Sequence, residues 1–253
     1  MNLADKIYPH LPVLLQHMAV STFGLYWRWL RFGQGYKPFF DEYREREHFT
    51  ASDWKAYQNK QLKRILHYAA NEVPYYRDTW TKEQKDAAHD GNLAALPLLG
   101  KDPIRSRPEL FLRDDMRHKK QLTFFTSGST GTPISCIGSV ADIRDTRALR
   151  ESRSLNWAGV SFKMPRATFS GRMVEPNPAS KGPFYRYNVA ERQVYFSAFH
   201  LRPDTAAIYL KALKRHKIQW MTGYAVSYYL LAKFIREKNL KVPPLKAIIT
   251  TSE

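Results

Sequence analysis

The spacing of apolar residues changes about halfway along the chain. Residues 1–115 place most apolar side chains at helical intervals, with loops between the helices. One of these helices is predicted to begin with Asp53 as its N-cap and to end at Val73, because the residue before Pro74 avoids helical angles. Farther along, short apolar runs alternate with helical segments. The chain is therefore divided into a mainly helical N-terminal region and an α/β region, 116–253.

The α/β region predicts a largely parallel sheet with flanking helices. Its apolar runs predict strands at 122–125, 134–137, 167–169, 194–196, 218–221 and 245–250. Helices are predicted between them, beginning near Ser139, Asp204 and Val226. This alternation is typical of an α/β fold. Ligands of such sheets bind outside the carboxyl ends of the strands, so we expect the strands ending at Phe125, Met221 and Thr250 to share one sheet and one edge.

Composition and charge narrow the class of protein. The 253 residues are 43% hydrophobic and 14% aromatic, which excludes a disordered chain. The single cysteine, Cys136, excludes an internal disulfide framework and fits a reducing compartment, with its thiol expected in the core. The net charge of +17 favours polyanionic partners. Nucleic acid is not expected among them, because the basic residues are dispersed and the chain has neither zinc-finger spacing nor an RNA-recognition aromatic motif.

A run of hydroxyl and glycine residues directly after the first predicted strand is the main candidate site. It consists of Thr126, Ser127, Gly128, Ser129, Thr130, Gly131 and Thr132. Glycine lets the backbone approach a ligand closely, successive backbone N–H groups bind anions, and hydroxyls add donors, so the run suits a polyphosphate. It is not a Walker A loop, since no lysine follows the second glycine. We expect an exposed loop of low local stability.

The run from Thr126 to Pro133 resembles the phosphate-binding loop of the adenylate-forming enzymes. Further segments resemble phenylacetate–CoA ligase-like proteins and, within them, the CapK-like branch named after capsular polysaccharide biosynthesis. They are 61–66, 71–77, 96–99, 101–105, 199–201, 222–224 and 250–253. These segments follow one another in family order along most of the chain.

The resemblance implies an ATP- and Mg²⁺-dependent ligase. A carboxylic acid would react with ATP to give acyl-AMP, and the acyl group would pass to coenzyme A or to an amine, in surface-polysaccharide biosynthesis. The loop 126–132 would then hold the β- and γ-phosphates of ATP. Thr251, Ser252 and Glu253 would line the adenine pocket, and the acyl pocket would be bordered by His200, Gly223 and Tyr224. The resemblance assigns no catalytic residue and no metal ligand within this chain.

The resemblance also implies an incomplete large domain. Relatives carry the segments that bind ribose and magnesium, and a small C-terminal domain, beyond the position of Glu253. We therefore expect the N-terminal portion of an enzyme, inactive by itself, with a fragment, a frameshifted gene and a split protein as open alternatives. Relatives also place a lysine soon after the loop, where this chain has Ile134.

The segment 11–32 is rich in large apolar residues but is not predicted to span a membrane. It is interrupted by Gln16, His17, Arg28 and Arg31. Two alternatives stay open. In one, the segment is an interfacial helix that brings a cytoplasmic protein to the inner membrane face, with Tyr26, Trp27 and Trp29 near the headgroups and Arg28 and Arg31 facing anionic lipid. In the other, it is an amphipathic helix packed on the body of the protein.

Two further hypotheses concern charge. Four arginines recur every three residues on one predicted helix, at Arg144, Arg147, Arg150 and Arg153. They are interpreted as a solvated helix face, with binding of an acidic acceptor as the alternative. For the whole chain, the alternative to a ligase is a non-catalytic basic protein that docks on membranes or polyanions.

Overall fold

A computed structural model describes residues 7–116, 121–126, 133–171 and 173–251. The fold is α/β, as predicted, and the chain forms two compact units. The sheet unit comprises 1–40 and 144–253, and the helical unit comprises 41–143. The helices are α1 (Val13–Phe32), α2 (Tyr36–Glu45), α3 (Ala51–Glu72), α4 (Pro74–Thr79), α5 (Lys82–Asp90), α6 (Lys101–Ser106), α7 (Val140–Arg150), α8 (Ala206–Arg215) and α9 (Ala225–Glu237). The strands are β1 (Leu122–Phe125), β2 (Ser135–Gly138), β3 (Arg166–Ser170), β4 (Tyr185–Asn188), β5 (Gln193–Ser197), β6 (Trp220–Gly223) and β7 (Ala247–Thr250).

The sheet unit is built on five strands in the order β4-β5-β3-β6-β7. Strands β5, β3, β6 and β7 run parallel, and β4 pairs antiparallel with β5 at one edge. The largely parallel sheet is thus confirmed. Strand β4 lies in a stretch that the sequence did not predict as a strand.

One face of this sheet forms the main core. Side chains alternate along a strand, so Ala167, Phe169, Val194 and Phe196 point to the same side, and all four are fully buried. They pack in one cluster with buried residues of α8 and α9. On the opposite face Trp220 is fully buried in a smaller cluster with residues that follow α7.

Helix α1 lies along the edge strand β4. The backbone N–H of Tyr187 donates to Nδ1 of His17 at 2.8 Å, and that of Val189 donates to Oγ of Ser21 at 3.1 Å. The close approach requires Gly24, because a Cβ atom there would lie 2.3 Å from the side-chain oxygen of Asn188. The helix therefore packs on the sheet unit through small and polar residues.

The inner side of α1 corrects part of the interfacial hypothesis. Trp27 and Arg31 do not face outward: Arg31 donates to Glu191 at 2.8 Å, and its guanidinium lies 4.9 Å from the centre of the Trp27 ring. Glu191 thus holds Arg31 on the inner side of the helix, and the ring of Trp27 lies beside the guanidinium group. Tyr26 and Trp29 are exposed, in agreement with the hypothesis. Within the described ranges no helix combines the length and hydropathy needed to cross a bilayer.

The prediction that β1 shares this sheet is wrong. Strand β1 pairs antiparallel with β2 in a separate two-stranded sheet of the helical unit. The connection between the two strands is short, which permits antiparallel pairing, whereas a parallel pair needs a crossover of about a dozen residues or more. The other part of the prediction is confirmed, since β6 and β7 are parallel neighbours that end at the same edge.

The ends of helix α3 in the helical unit were predicted to within about one turn. Helix α3 begins one turn earlier than predicted, with Thr50 as the N-cap and Asp53 in a reciprocal capping box. It ends at Val73, which is extended before Pro74, as predicted. Cys136 is exposed on β2 and is not the core thiol that was expected, because the two-stranded sheet buries little of its surface.

Candidate functional site

The carboxyl edge of β3 and β6 is the place where this sheet can form a ligand crevice. The chain leaves β3 toward β4 and then β5 on one side and leaves β6 toward β7 on the other. Parallel sheets bind ligands at such a reversal of direction. Gly223, the last residue of β6, has a φ of +142°, and a Cβ atom there would lie only 1.8 Å from the carbonyl oxygen of Phe169. Only glycine permits this approach.

Three of the predicted site residues meet at this edge. Tyr224 directly follows Gly223 and is the N-cap residue of α9. Its hydroxyl lies 3.0 Å from the position that a Cβ atom on Gly171, just beyond β3, would take. The backbone N–H of Thr251 donates to the carbonyl oxygen of Gly223 at 2.9 Å. The predicted adenine residues Ser252 and Glu253 lie outside the described residues.

An arginine that was interpreted as solvated reaches the same edge. Nη2 of Arg150 donates to Oγ1 of Thr222 at 2.7 Å. On the same side of α7, Arg144 donates to the carbonyl oxygen of Leu30 at 3.1 Å, and the guanidinium of Arg147 lies 5.2 Å from the centre of a phenylalanine ring. The solvated-face interpretation is wrong for these three arginines, because the helix packs against the sheet unit on the side that carries them.

Positive charge at this side of the sheet is only partly balanced. Glu191 pairs with both Arg31 and Arg166, at 2.8 Å each. Among the described residues, no carboxylate lies within ion-pair distance of Arg147 or Arg150. Burial, together with the nearby guanidinium groups, lowers the pKa of Arg147 to about 9, and burial also lowers the pKa of Arg150. Both side chains stay charged at neutral pH, so this region attracts an anion.

His200 is held by the protein itself. The ring is 3% exposed and stacks on Phe184, with 4.9 Å between ring centres. Its Nε2 lies 2.9 Å from the carbonyl oxygen of Asn177, which can only accept, so Nε2 carries the proton and Nδ1 accepts from Oγ of Ser197 at 2.8 Å. Both nitrogens are engaged in this conformation. His200 therefore anchors the connection between β3 and β4.

The predicted phosphate loop is described only at its base. Thr126 donates its backbone N–H to the carbonyl oxygen of Ile134 at 3.1 Å, and its Oγ1 accepts from the N–H of Ile134 at 3.0 Å. These bonds close a hairpin loop between β1 and β2. The rest of the loop, Ser127, Gly128, Ser129, Thr130, Gly131 and Thr132, lies outside the described residues. Across the described ranges no three His, Cys, Asp or Glu side chains are grouped as metal ligands.

A cleft of about 130 Å³ lies elsewhere in the sheet unit, between α1 and the outer strands. Its walls include Tyr8, Phe23, Arg186 and Tyr195. None of the predicted site residues lines it. The three-residue spacing of the arginines places them on one side of α7, but no signal in the sequence indicates that this side contacts Thr222.

The chain is similar to Protein CapK of Staphylococcus aureus. The two are 24% identical over 247 residues, which cover 94% of this chain and 52% of the relative. The chain thus spans about half the length of the curated relative that it matches. No protein-family model matches the chain. The similarity supports a CapK-like relationship, as the sequence predicted, and membership of the adenylate-forming superfamily stays a prediction.

Proposed function

We propose that the chain is part of an ATP-dependent ligase that activates a carboxylic acid for surface-polysaccharide biosynthesis. The similarity to Protein CapK and the composition of the loop after β1 support this proposal. In the proposed reaction a carboxylate oxygen attacks the α-phosphorus of ATP. The bond from that phosphorus to the bridging oxygen breaks, pyrophosphate leaves with the electron pair, and acyl-AMP remains. The acyl group then passes to coenzyme A or to an amine acceptor.

The pair of Arg150 and Thr222 carries this proposal. It lies beside Gly223 at the reversal point of the sheet and combines a charged donor with a hydroxyl. The guanidinium group has further N–H donors besides the one that Thr222 accepts, and two parallel donors match the two oxygens of a carboxylate. We therefore assign this pair to the carboxylate of the acid, with Arg147 adding positive charge nearby.

The loop closed by Thr126 and Ile134 is the proposed binding element for the ATP phosphates. Its backbone N–H groups and hydroxyls would stabilise the charge that develops on pyrophosphate. Mg²⁺ would enter with ATP and neutralise the same charge. The loop lacks the lysine that the family places after it, so we expect its affinity for ATP to be weak, on the order of millimolar.

The proposed role of the loop is tested by measuring the binding of Mg·ATP with titration calorimetry. We expect Gly128→Ala and Thr130→Ala each to weaken binding about tenfold, which corresponds to about 1.4 kcal/mol. Gly100→Ala is the matched control, because a Cβ atom at that position meets nothing within 4 Å. If the wild type and all three variants bound Mg·ATP with equal affinity, the assignment of phosphate binding to this loop would be wrong.

The proposed role of Arg150 is tested by measuring how far a panel of aromatic and aliphatic carboxylic acids stabilises the protein against heat. Arg150→Ala should abolish the stabilisation by any acid that the wild type binds. Arg153→Ala is the control, since Arg153 lies over the exposed ring of Trp157 and not at the sheet edge. Stabilisation that survives in Arg150→Ala, or that is lost equally in both variants, contradicts the assignment of the carboxylate to Arg150.

A further inference from the structure

Helix α1 has its apolar side outward. Successive residues on an α-helix are separated by about 100°, so six exposed apolar residues of α1 fall within an arc of about 120°, and the exposed Phe23 lies about 60° beyond it. This outer face consists of Leu14 (70% exposed), Leu15 (43%), Met18 (58%), Leu25 (61%), Tyr26 (40%) and Trp29 (63%). A helix packed on a protein core normally has the opposite distribution.

The side that α1 turns toward the sheet unit makes specific polar contacts and also buries Leu30. Gln16 is 3% exposed and its carboxamide accepts a hydrogen bond from Arg186. On the same side, Arg31 pairs with Glu191, and His17 and Ser21 accept from the backbone of the edge strand. The orientation of the helix is therefore set by specific polar contacts, and turning the outer face inward would break them.

The chain segment that contains α1 carries no acidic residue of its own. Between Ile7 and Phe40 the chain contains no aspartate or glutamate. The same stretch contains His10, His17, Arg28, Arg31 and Lys37, in a chain with a net charge of +17. Arg28 is exposed and uses one of its terminal nitrogens to donate to the carbonyl oxygen of Ala190 at 2.7 Å. An occupant of the outer face therefore meets apolar side chains with the exposed cation of Arg28 beside them.

We propose that the outer face of α1 lies in the interface of an anionic lipid membrane, with the helix parallel to the membrane plane. Interfacial helices combine leucine and aromatic residues on one face with flanking cations. Tyr26 and Trp29 suit the headgroup region, because their rings are amphipathic. This inference does not rest on the proposed ligase activity, because it uses none of the residues of the sheet edge or of the phosphate loop.

The test is co-sedimentation of the purified 253-residue protein with lipid vesicles. Vesicles of phosphatidylcholine with phosphatidylglycerol are compared with vesicles of phosphatidylcholine alone. We expect the wild type to bind the anionic vesicles at least about tenfold more tightly than the neutral ones, since each cation near an anionic surface adds attraction. Raising the salt concentration should weaken this binding.

The triple variant Leu14→Ser, Leu25→Ser, Trp29→Ser tests the outer face. It should lose at least about tenfold in vesicle affinity, because each substitution removes exposed apolar surface from the lipid contact. The matched control is the double variant Trp157→Ser, Tyr229→Ser, which removes exposed aromatic residues (74% and 66% exposed) from other parts of the sheet unit. Circular dichroism checks that every variant is folded.

Two outcomes would overturn the proposal. One is vesicle binding by the triple variant equal to that of the wild type and of the control. The other is wild-type protein that stays in the supernatant and elutes as a dimer in size-exclusion chromatography, with the triple variant monomeric, since the outer face would then be an interface between two copies. A second measurement follows tryptophan fluorescence: anionic vesicles should shift the wild-type emission to the blue, and Trp29→Phe should lose most of that shift.

Discussion

Nη2 of Arg166 lies 2.8 Å from Oε2 of Glu191, and the two side chains are only 5% and 2% exposed. Glu191 accepts a second charged contact from Arg31 at 2.8 Å. Arg166 also donates to Oε1 of Gln193 at 2.6 Å and to two backbone carbonyl oxygens. One carboxylate thus compensates two largely buried guanidinium groups in the sheet unit.

Glu191→Gln should destabilise the sheet unit strongly. The substitution keeps the shape of the side chain but leaves two buried cations without a counter-charge, and breaking a buried pair in this way costs about 3–5 kcal/mol. Urea unfolding followed by circular dichroism measures the loss. Asp204→Asn is the control, because Asp204 is 71% exposed beside Arg202 and should contribute less than about 1 kcal/mol. A similar small change in both variants would contradict the prediction.

Gly223→Ala should also unfold the sheet edge. The added Cβ atom would lie 1.8 Å from the carbonyl oxygen of Phe169 and would force a side chain into a φ of +142°. We expect a loss of more than about 2 kcal/mol in the free energy of unfolding. Gly100→Ala meets open space and should change stability by less than about 1 kcal/mol. If Gly223→Ala were as stable as Gly100→Ala, β3 and β6 would not approach so closely.

Thr222→Val should weaken the binding of the carboxylic acid substrate while it leaves the fold intact. It removes the hydroxyl that accepts from Arg150 at 2.7 Å, with an expected loss of about 1–2 kcal/mol in stability. The thermal stabilisation of the protein by carboxylic acids should fall, as we expect for Arg150→Ala. In a double-mutant cycle the combined variant should be little worse than Arg150→Ala alone, because both changes remove the same contact. Additive losses would mean that the two residues act separately.

Stability should decrease as the pH falls below neutral. Burial lowers the pKa of His216 from 6.5 to about 4, and burial together with Arg186 lowers the pKa of His17. The unfolded chain therefore takes up protons that the folded chain does not, so the stability present above pH 6.5 is lost as the pH falls toward about 4. Urea unfolding between pH 7.5 and 4 measures the slope. His216→Gln should flatten it, and an unchanged slope would contradict this assignment.

Local patterns predicted most of the elements of the fold. The parallel strands β3, β5, β6 and β7 are short apolar runs flanked by turn residues, and such signals are contained within each segment. Strand β4 was missed because its sequence, Tyr-Arg-Tyr-Asn, carries two polar residues that are buried. The buried Arg186 is tolerated because it has two partners: α1 supplies Gln16, and the connection after β3 supplies Glu175. Those partners are distant in sequence, so no local pattern could indicate them.

The candidate site was predicted less completely than the fold. Gly223, Tyr224 and Thr251 were assigned through the family resemblance; they lie together at the carboxyl edge of β6 and β7, and their roles stay predictions. Arg150 was predicted to face solvent. The three-residue spacing of the arginines shows that they share one side of α7, but it does not show what that side contacts. The pairing of β1 with β2 is local instead: the short hairpin connection favoured β2 over the main sheet, and the alternation of strands and helices did not indicate this.

The bonds from β4 to His17 and Ser21 have a consequence for the behaviour of the protein in solution. An edge strand with free amide groups is a template on which another chain can add a strand, and this is a common route to aggregation. Here two of those amides are occupied by side chains of α1. Removal of residues 1–32, or protonation of His17 in acid, would uncover the edge of β4. The helix that we propose to rest on lipid is thus also the element that protects the sheet from uncontrolled self-assembly.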